Sequence, residues 1–428
     1  MKVVVFGLWH LGCVTAACGA EHFEVVGLDF TPEVIANLRR GRAPIFEPGL
    51  DELIQRGLNS KQLSFTTDEK EALARANIFW VCYDTPVDDN DVPDIDFVLA
   101  RIERCVPHLR PGAIVLVSSQ MPAGTCRRLE EKHAAKGISF ACSPENLRLG
   151  DALKIFRNPD RIVAGVRDEE TRGTLAKLFA PFARDRVLWM SPESAEMTKH
   201  GINAFLALSV TFANEIAQLC EAVGANAREV EQGLRSESRI GQKAYLRPGA
   251  AFAGGTLARD VVTLIRIAAD NGERVELITG ILRGNEAHKA WPLRRIERLY
   301  GKAHGVTVAV LGLTYKPGTD TLRRSAAVEL CRALLERGAR VQCYDPVVKI
   351  LPEDLAAAKI CGTLPAALHQ ANVAVIATEW PEIKEAHWPS LVLTMKKPAL
   401  ILDPNRFLNL TAADLPQARY VAVGSSIS

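Results

Sequence analysis

Short apolar runs rich in β-branched residues alternate with longer stretches of helical periodicity in the first part of the chain. The runs read VVVF, EVVGLD, IFWVCY, AIVLVSS, ISFACS and RIVAGV, with polar or glycine punctuation between them. Strands separated by helix-length segments pair in parallel, so this rhythm predicts a doubly wound α/β domain over residues 1–193. From Ser194 to Val223 the pattern changes. No proline and only Gly201 interrupt it, and Met197, Ile202, Phe205, Leu206 and Leu208 supply the apolar positions of one long helix. A glycine-rich break from Arg247 to Gly255 precedes renewed helical periodicity from Leu257 to about Tyr300. Residues 194–300 thus form a helical middle, suited to bridging domains, to dimerisation or to plain core packing. Beyond Gly301 the first rhythm returns as VTVAVLGL, a helix from about Ser325 to Arg337, RVQCYD, VAVIAT and ALILDP, a second α/β domain over 301–428.

Length agrees with this division, because 428 residues at 48% hydrophobic content exceed what one core organises. Lys plus Arg (52) nearly balances Asp plus Glu (50), so no net field recruits nucleic acid or an anionic membrane. A compact anionic ligand suits the chain better than a polyanion. The ten cysteines are scattered, with no CxxC pair and no metal-ligand spacing. They read as reduced, mostly buried thiols of a cytoplasmic protein, with no metal site and no disulfide framework. The start, MKVVVFGLWHLGCVTAACGA, mimics a signal peptide, but Gly7 and Gly12 break the apolar run where a turn is due. A second strand-like run follows and ends at Asp29. No run of eighteen apolar residues predicts a membrane span.

Gly7-Leu8-Trp9-His10-Leu11-Gly12 follows a strand and opens a helix, and Asp29 closes the next strand at the distance of a ribose-binding acid. The helix N-terminus offers N–H groups and positive dipole to a pyrophosphate. Asp29 favours NAD over NADP, since a carboxylate repels a 2′-phosphate. Trp9 stands where a glycine normally lets the phosphate approach the backbone, so either its side chain points away or the cofactor is displaced. Both α/β domains put glycine at a strand's C-terminal end, in VVVFGLWHLG and VAVLGLTYKPG. The expected fold class is therefore α/β, two Rossmann-like doubly wound domains joined by a long-helix region.

Further segments follow one another along the chain: GRAPIFEPGLDELI (Gly41 to Ile54), DTP (Asp84 to Pro86), CSPENLRLG (Cys142 to Gly150), NPDRIVAG (Asn158 to Gly165) and EMTKHGINAFLA (Glu196 to Ala207). SRIGQ (Ser238 to Gln242), RPGAAFAGGTLARD (Arg247 to Asp260), LTYKPGTDTLRRS (Leu313 to Ser325), YDP (Tyr344 to Pro346) and ATEW (Ala377 to Trp380) complete the series. In joint order and spacing they resemble the UDP-glucose/GDP-mannose dehydrogenases. That resemblance implies a homodimer with an NAD domain, a dimer helix that makes the long-helix region a dimerisation region, and a UDP-type nucleotide domain acting on a nucleotide sugar. It implies roles as well. Lys199 stabilises oxyanionic intermediates, assisted by Asn203, four residues on and so on the same helix face. Asp260 handles protons with the lysine, and Glu145 takes part in proton transfer during hydrolysis. Gly7, Trp9, His10, Leu11, Gly12, Asp29, Thr85, Pro86, Gln120 and Arg323 fall in the cofactor site. Leu147, Tyr245, Phe252, Gly254 and Lys316 fall in the substrate site, with Arg239 reaching it from a partner subunit. Taken singly, each of these lysines and arginines would read as a solvated surface charge.

The pattern breaks at Thr256, where the family keeps a nucleophilic cysteine. Members with the cysteine oxidise an alcohol twice through a thiohemiacetal and a thioester, then hydrolyse the thioester. A thiol, with a pKa of about 8.5, supplies a nucleophile that a threonine hydroxyl without a neighbouring base does not. Thr256 also has a plain structural reading as the N-cap of the next helix. No cysteine lies between Cys220 and Cys331 to replace it. Gln120 stands for a threonine that helps bind the catalytic water, Leu149 for the acid of the family's LRE, and Ala258 and Arg259 for Pro and Lys. Lys199, Asn203 and Asp260 are retained. The losses concern one half of the mechanism, so the expected reaction is a two-electron, NAD-dependent oxidation of a nucleotide sugar. The alternatives are four-electron oxidation through a hydrated aldehyde, and a catalytically silent nucleotide-sugar binder.

Overall fold

The predicted strands assemble into two sheets, seen in a computed structural model that describes residues 1–88, 92–145, 147–253, 255–411 and 413–425. The chain divides into two units, Met1–Ile202 and Asn203–Ser428, with the boundary inside the helix Pro192–Val223.

In the first unit, β1 (Lys2–Phe6), β2 (Glu24–Leu28), β3 (Leu63–Thr66), β4 (Ile78–Val81), β5 (Ile114–Val117), β6 (Ser139–Cys142), β7 (Ile162–Gly165) and β8 (Val187–Met190) form one sheet. Its order is β3-β2-β1-β4-β5-β6-β7-β8. The central strand has no solvent face: Val3 and Val5 enter one apolar core, Val4 and Phe6 the other. This is why the strand segments read as continuous apolar runs. The expectation of parallel pairing fails at one place. β6 and β7 are antiparallel, with Cys142 opposite Gly165. Their connection does not cross back over the sheet, since its helix, Ala152–Arg157, covers under two turns, and β7 begins beyond the C-terminal end of β6.

The second unit contains the helices Thr256–Asp270, Glu276–Lys289 and Trp291–Tyr300, then an entirely parallel sheet. Its strands are β9 (Thr307–Leu311), β10 (Arg340–Tyr344), β11 (Lys359–Ile360), β12 (Val373–Ile376), β13 (Ala399–Leu402) and β14 (Ala418–Val421), in the order β11-β10-β9-β12-β13-β14. Chain order reverses between β9 and β12, the point at which such sheets bind ligands beyond their carboxyl ends. A cavity of about 60 Å³ lies beyond the ends of β12 and β13, lined by Ala250, Trp291, Ala327, Ile376 and Asn405 among others.

By length and composition the helix Pro192–Val223 could cross a membrane. Its buried polar groups have protein partners instead, as a core helix requires. Asn214 Oδ1 accepts the Gly249 N–H at 2.9 Å. The Glu221 carboxylate pairs with the Arg295 guanidinium and accepts the Trp291 indole N–H at 2.9 Å and the Gly424 N–H at 2.8 Å.

Candidate functional site

Three residues separate β1 from the helix His10–Gly19, and only glycine suits two positions nearby. Gly7 has φ +90°, and a Cβ there would lie 2.6 Å from the Tyr83 ring. A Cβ on Gly12 would lie 1.8 Å from the Gly7 carbonyl oxygen, so the helix start could not approach the turn. Trp9, by contrast, caps the helix at φ −93°, outside the positive-φ region that favours glycine, with its side chain about half exposed (47%). Its position makes no backbone demand for glycine. Asp29, buried just past β2, accepts the Leu8 N–H on Oδ2 at 2.8 Å and the Thr31 N–H on Oδ1 at 2.9 Å. Each oxygen keeps a lone pair for a ribose hydroxyl. Thr85 Oγ1 donates to the Gln120 carbonyl at 2.7 Å, tying the ends of β4 and β5 together, while Pro86 is exposed and Leu11 is packed in the core. The tight turn, the helix N-terminus and the acid together fit a dinucleotide such as NAD.

The second sheet repeats the device. Asp345 Oδ2 accepts the Leu313 N–H at 2.7 Å and the Thr314 N–H at 3.3 Å, as Asp29 holds Leu8 in the first. Lys316 and Arg323 are exposed on the loop that follows β9.

The catalytic candidates fall in two groups. In the first unit Lys199 Nζ donates to the Glu145 backbone carbonyl at 2.6 Å. The Glu145 carboxylate accepts the N–H of the half-buried Leu147. Burial raises the Glu145 carboxyl above the usual carboxylate range, and the nearby Lys199 charge offsets this only in part. Gln120 and Lys199 line a small cavity with Met121, Cys142, Pro144 and Glu196. Glu196 accepts the Gly124 N–H at 2.5 Å and the Cys126 N–H at 2.9 Å, fixing the start of the helix Thr125–His133.

In the second unit Asn203 Nδ2 donates to Asp260 Oδ2 at 2.5 Å, and Asp260 is fully buried. Thr256 lies one turn before Asp260 on the same helix and is exposed. It is not the N-cap. Gly255, at φ +105°, holds that position, no side chain caps the helix, and Thr256 is the first helical residue. The left-handed region is costly for threonine and open to glycine, so the cap moves back one residue. Asn285 clamps the Phe252 backbone through two 2.9 Å bonds, one to the N–H and one to the carbonyl. Tyr245 is 57% exposed, and the exposed Arg239 pairs with Glu237 at 2.9 Å. Gly254 lies outside the described residues. All ten cysteines are free and buried.

Asp345, Glu196 and Asn285 were not singled out from the sequence. Each acts by accepting or exchanging backbone hydrogen bonds with a distant segment, and such pairing leaves no local pattern. For Asp345 a signal existed, since it ends β10 as Asp29 ends β2.

Two doubly wound sheets, with a glycine turn braced by an acid in the first, define a nucleotide-binding α/β protein. Family models carry this further. The NAD binding domain of the UDP-glucose/GDP-mannose dehydrogenase family matches residues 1–183, its central domain 193–287 and its UDP binding domain 309–410. The chain belongs to the UDP-glucose/GDP-mannose dehydrogenase family. It is 34% identical to the UDP-glucose 6-dehydrogenase of Pseudomonas aeruginosa, over 97% of this chain and 96% of that one. A UDP-glucose dehydrogenase structure from Pyrobaculum islandicum aligns with a TM-score of 0.84 at 31% identity, covering 99% of this chain and 98% of the other. A UDP-D-ManNAc dehydrogenase from Pyrococcus horikoshii also aligns at 0.84, with 26% identity and 99% of both chains covered. The protein is thus an NAD-dependent oxidoreductase acting on a nucleotide sugar.

Proposed function

We propose that this dehydrogenase removes two electrons from a nucleotide sugar, converting an alcohol to a carbonyl, and stops there. The observation that carries the proposal is the burial of every cysteine, combined with an exposed threonine at the family's nucleophile position. A thioester route needs an accessible thiolate, and every thiol is buried, Cys142 in the wall of the Lys199 cavity included. Gly7, Gly12, Asp29 and the N-terminus of the helix His10–Gly19 would hold NAD, which when bound supplies the hydride acceptor. Lys199 aims its ammonium at the alcohol oxygen and stabilises the negative charge that develops there as the hydroxyl proton leaves, with Asn203 as a second donor. Asp260 takes the hydroxyl proton. Glu145 keeps a raised proton affinity suited to proton transfer. Lys316, Leu147, Tyr245 and Phe252 contact the sugar nucleotide.

The relatives named UDP-glucose 6-dehydrogenase favour UDP-glucose and its C6 hydroxyl among the candidate substrates. The test is incubation with NAD and a panel of UDP- and GDP-sugars, counting NADH and weighing the product. One NADH per sugar and a carbonyl product are expected. Two NADH and a carboxylate refute the truncated reaction and indicate a hydrated aldehyde. A Cys142→Ser variant then checks the thiol that lines the Lys199 cavity. Absence of NAD binding by calorimetry identifies a silent binder instead.

The same reading divides the chain into an NAD domain (1–193), a central domain (194–300) and a nucleotide-sugar domain (301–428), in a cytoplasmic homodimer. Phe205, Phe212 and Leu219 recur at seven-residue spacing on the long helix and are 64%, 41% and 63% exposed, an apolar stripe that a second copy would cover. Light scattering on a Phe212→Glu, Leu219→Glu variant tests this, with a monomer expected and an unchanged dimer against it.

A further inference from the structure

Glu47 has no role in the chemistry described above, yet it joins segments far apart in the chain. It is buried, at 4% exposure. Oε2 lies 2.9 Å from the His10 ring nitrogen Nε2 and accepts the Gly150 N–H at 2.8 Å, while Oε1 accepts the Ala152 N–H at 2.9 Å. His10 is the first residue of the helix that opens the cofactor turn. Gly150 and Ala152 close the segment that starts at Cys142 and carries Glu145 and Leu147. One carboxylate therefore braces the cofactor turn and the proposed substrate loop against each other.

The chemistry demands a carboxylate. The Gly150 and Ala152 N–H groups donate to different oxygens, so both oxygens must accept. In a glutamine one of the two atoms becomes an NH₂ donor, which would face Ala152 N–H in one orientation and Gly150 N–H in the other. Burial by itself lifts the Glu47 carboxyl, but the bonds from Gly150, His10 and Ala152 outweigh it and hold the group below the usual carboxylate range. The charged form is the one the site retains.

We propose that Glu47 is a positioning residue that couples the two ligand sites, so that loosening the cofactor turn also loosens the grip on the sugar nucleotide. The identity of the two ligands rests on the function proposed above. Coupling of this kind is reciprocal, so a change on the cofactor side is felt on the sugar side.

The test is calorimetry with NAD alone and with UDP-glucose alone on the full chain and on His10→Ala, Glu47→Gln and Glu47→Asp. His10→Ala, although in the cofactor turn, is expected to weaken UDP-glucose binding without NAD by about fivefold or more. Glu47→Gln weakens both ligands by at least that factor, and Glu47→Asp, which keeps the charge, recovers part of both. In turnover, KM for each ligand rises more than kcat falls, because Glu47 touches no reacting atom. A purely structural role would lower the active fraction, and so kcat, while leaving both KM values in place. UDP-glucose affinity unchanged in His10→Ala overturns the proposal, as does an effect of Glu47→Gln on one ligand only. Should Glu47→Gln not fold, His10→Ala decides alone, since it removes one bond of the three. A wild-type chain that fails to bind either ligand sinks the functional reading itself, a result distinct from intact binding without coupling.

Discussion

Removing the Glu221 carboxylate is the sharpest test of how the second unit is held together. Glu221 and Arg295 are both buried, at 7% and 4% exposure, and form an ion pair within the apolar core of that unit. Oε2 pairs with Arg295, while Oε1 receives both the Trp291 indole N–H and the Gly424 N–H. Glu221→Ala would abandon a buried guanidinium, at about 3–5 kcal/mol. The two orphaned N–H groups would add about 1–3 kcal/mol each. Against a domain stability of about 5–15 kcal/mol, that is a large fraction of the whole. A double replacement, Glu221→Leu with Arg295→Met, removes both charges and is expected to recover most of the ion-pair loss, leaving only the orphaned donors. Urea denaturation followed by tryptophan fluorescence reads the change, since Trp291 is 2% exposed and reports on this core. The transitions of the two units are fitted separately, because a two-unit chain need not unfold in one step. A cost below about 1 kcal/mol for Glu221→Ala, or a double variant no better than the single, would refute the reasoning. The outcome bears on function, because Glu221 ends the helix on which Lys199 and Asn203 lie.

Three other outcomes follow from the geometry. Thr256→Ala should leave the two-electron rate within about threefold, whereas a nucleophile would lose roughly 10³-fold or more, which steady-state NADH formation distinguishes. Asp29→Ala removes a buried acceptor of two backbone N–H groups and should weaken NAD by roughly 10- to 100-fold, while narrowing the preference over NADP, as fluorescence titration of both cofactors would report. His288 is 4% exposed, and burial pushes its imidazole down to about 4, only partly countered by its bond to the Gly249 carbonyl. Its folded form binds fewer protons than the unfolded chain, so the stability it contributes is present above pH 6.5 and is lost as pH falls towards about 4. The full loss amounts to about 3 kcal/mol, and unfolding curves at pH 7 and pH 5 should converge in His288→Gln if the assignment holds.

The strand runs from VVVF to RIVAGV and from VTVAVLGL to ALILDP were legible because a strand buried on both faces has to be apolar throughout. The cofactor turn was legible because Gly7 and Gly12 meet local steric demands that no other residue satisfies. Lys199, Asn203 and Asp260 could be located by motif, but their partners could not. The Asn203–Asp260 bond spans 57 residues and the Lys199–Glu145 bond spans 54. The N-cap reading at Thr256 failed for a related reason, since Gly255 and Thr256 are adjacent candidates and only the backbone angle separates them.

By itself the sequence determined the α/β class, the two sheets and their separating helices, the dinucleotide turn, and the missing thiol at position 256. These depend on periodicity and on residue chemistry, which act over a few positions. Only the tertiary structure decided that β6 and β7 run antiparallel, that Trp9 lies at negative φ, and that no cysteine is exposed to replace the lost nucleophile. It alone brought Glu47 against His10 and Gly150, over 37 and 103 residues. A buried carboxylate must find donors wherever the fold presents them, and which donors those are is set by the packing of distant segments.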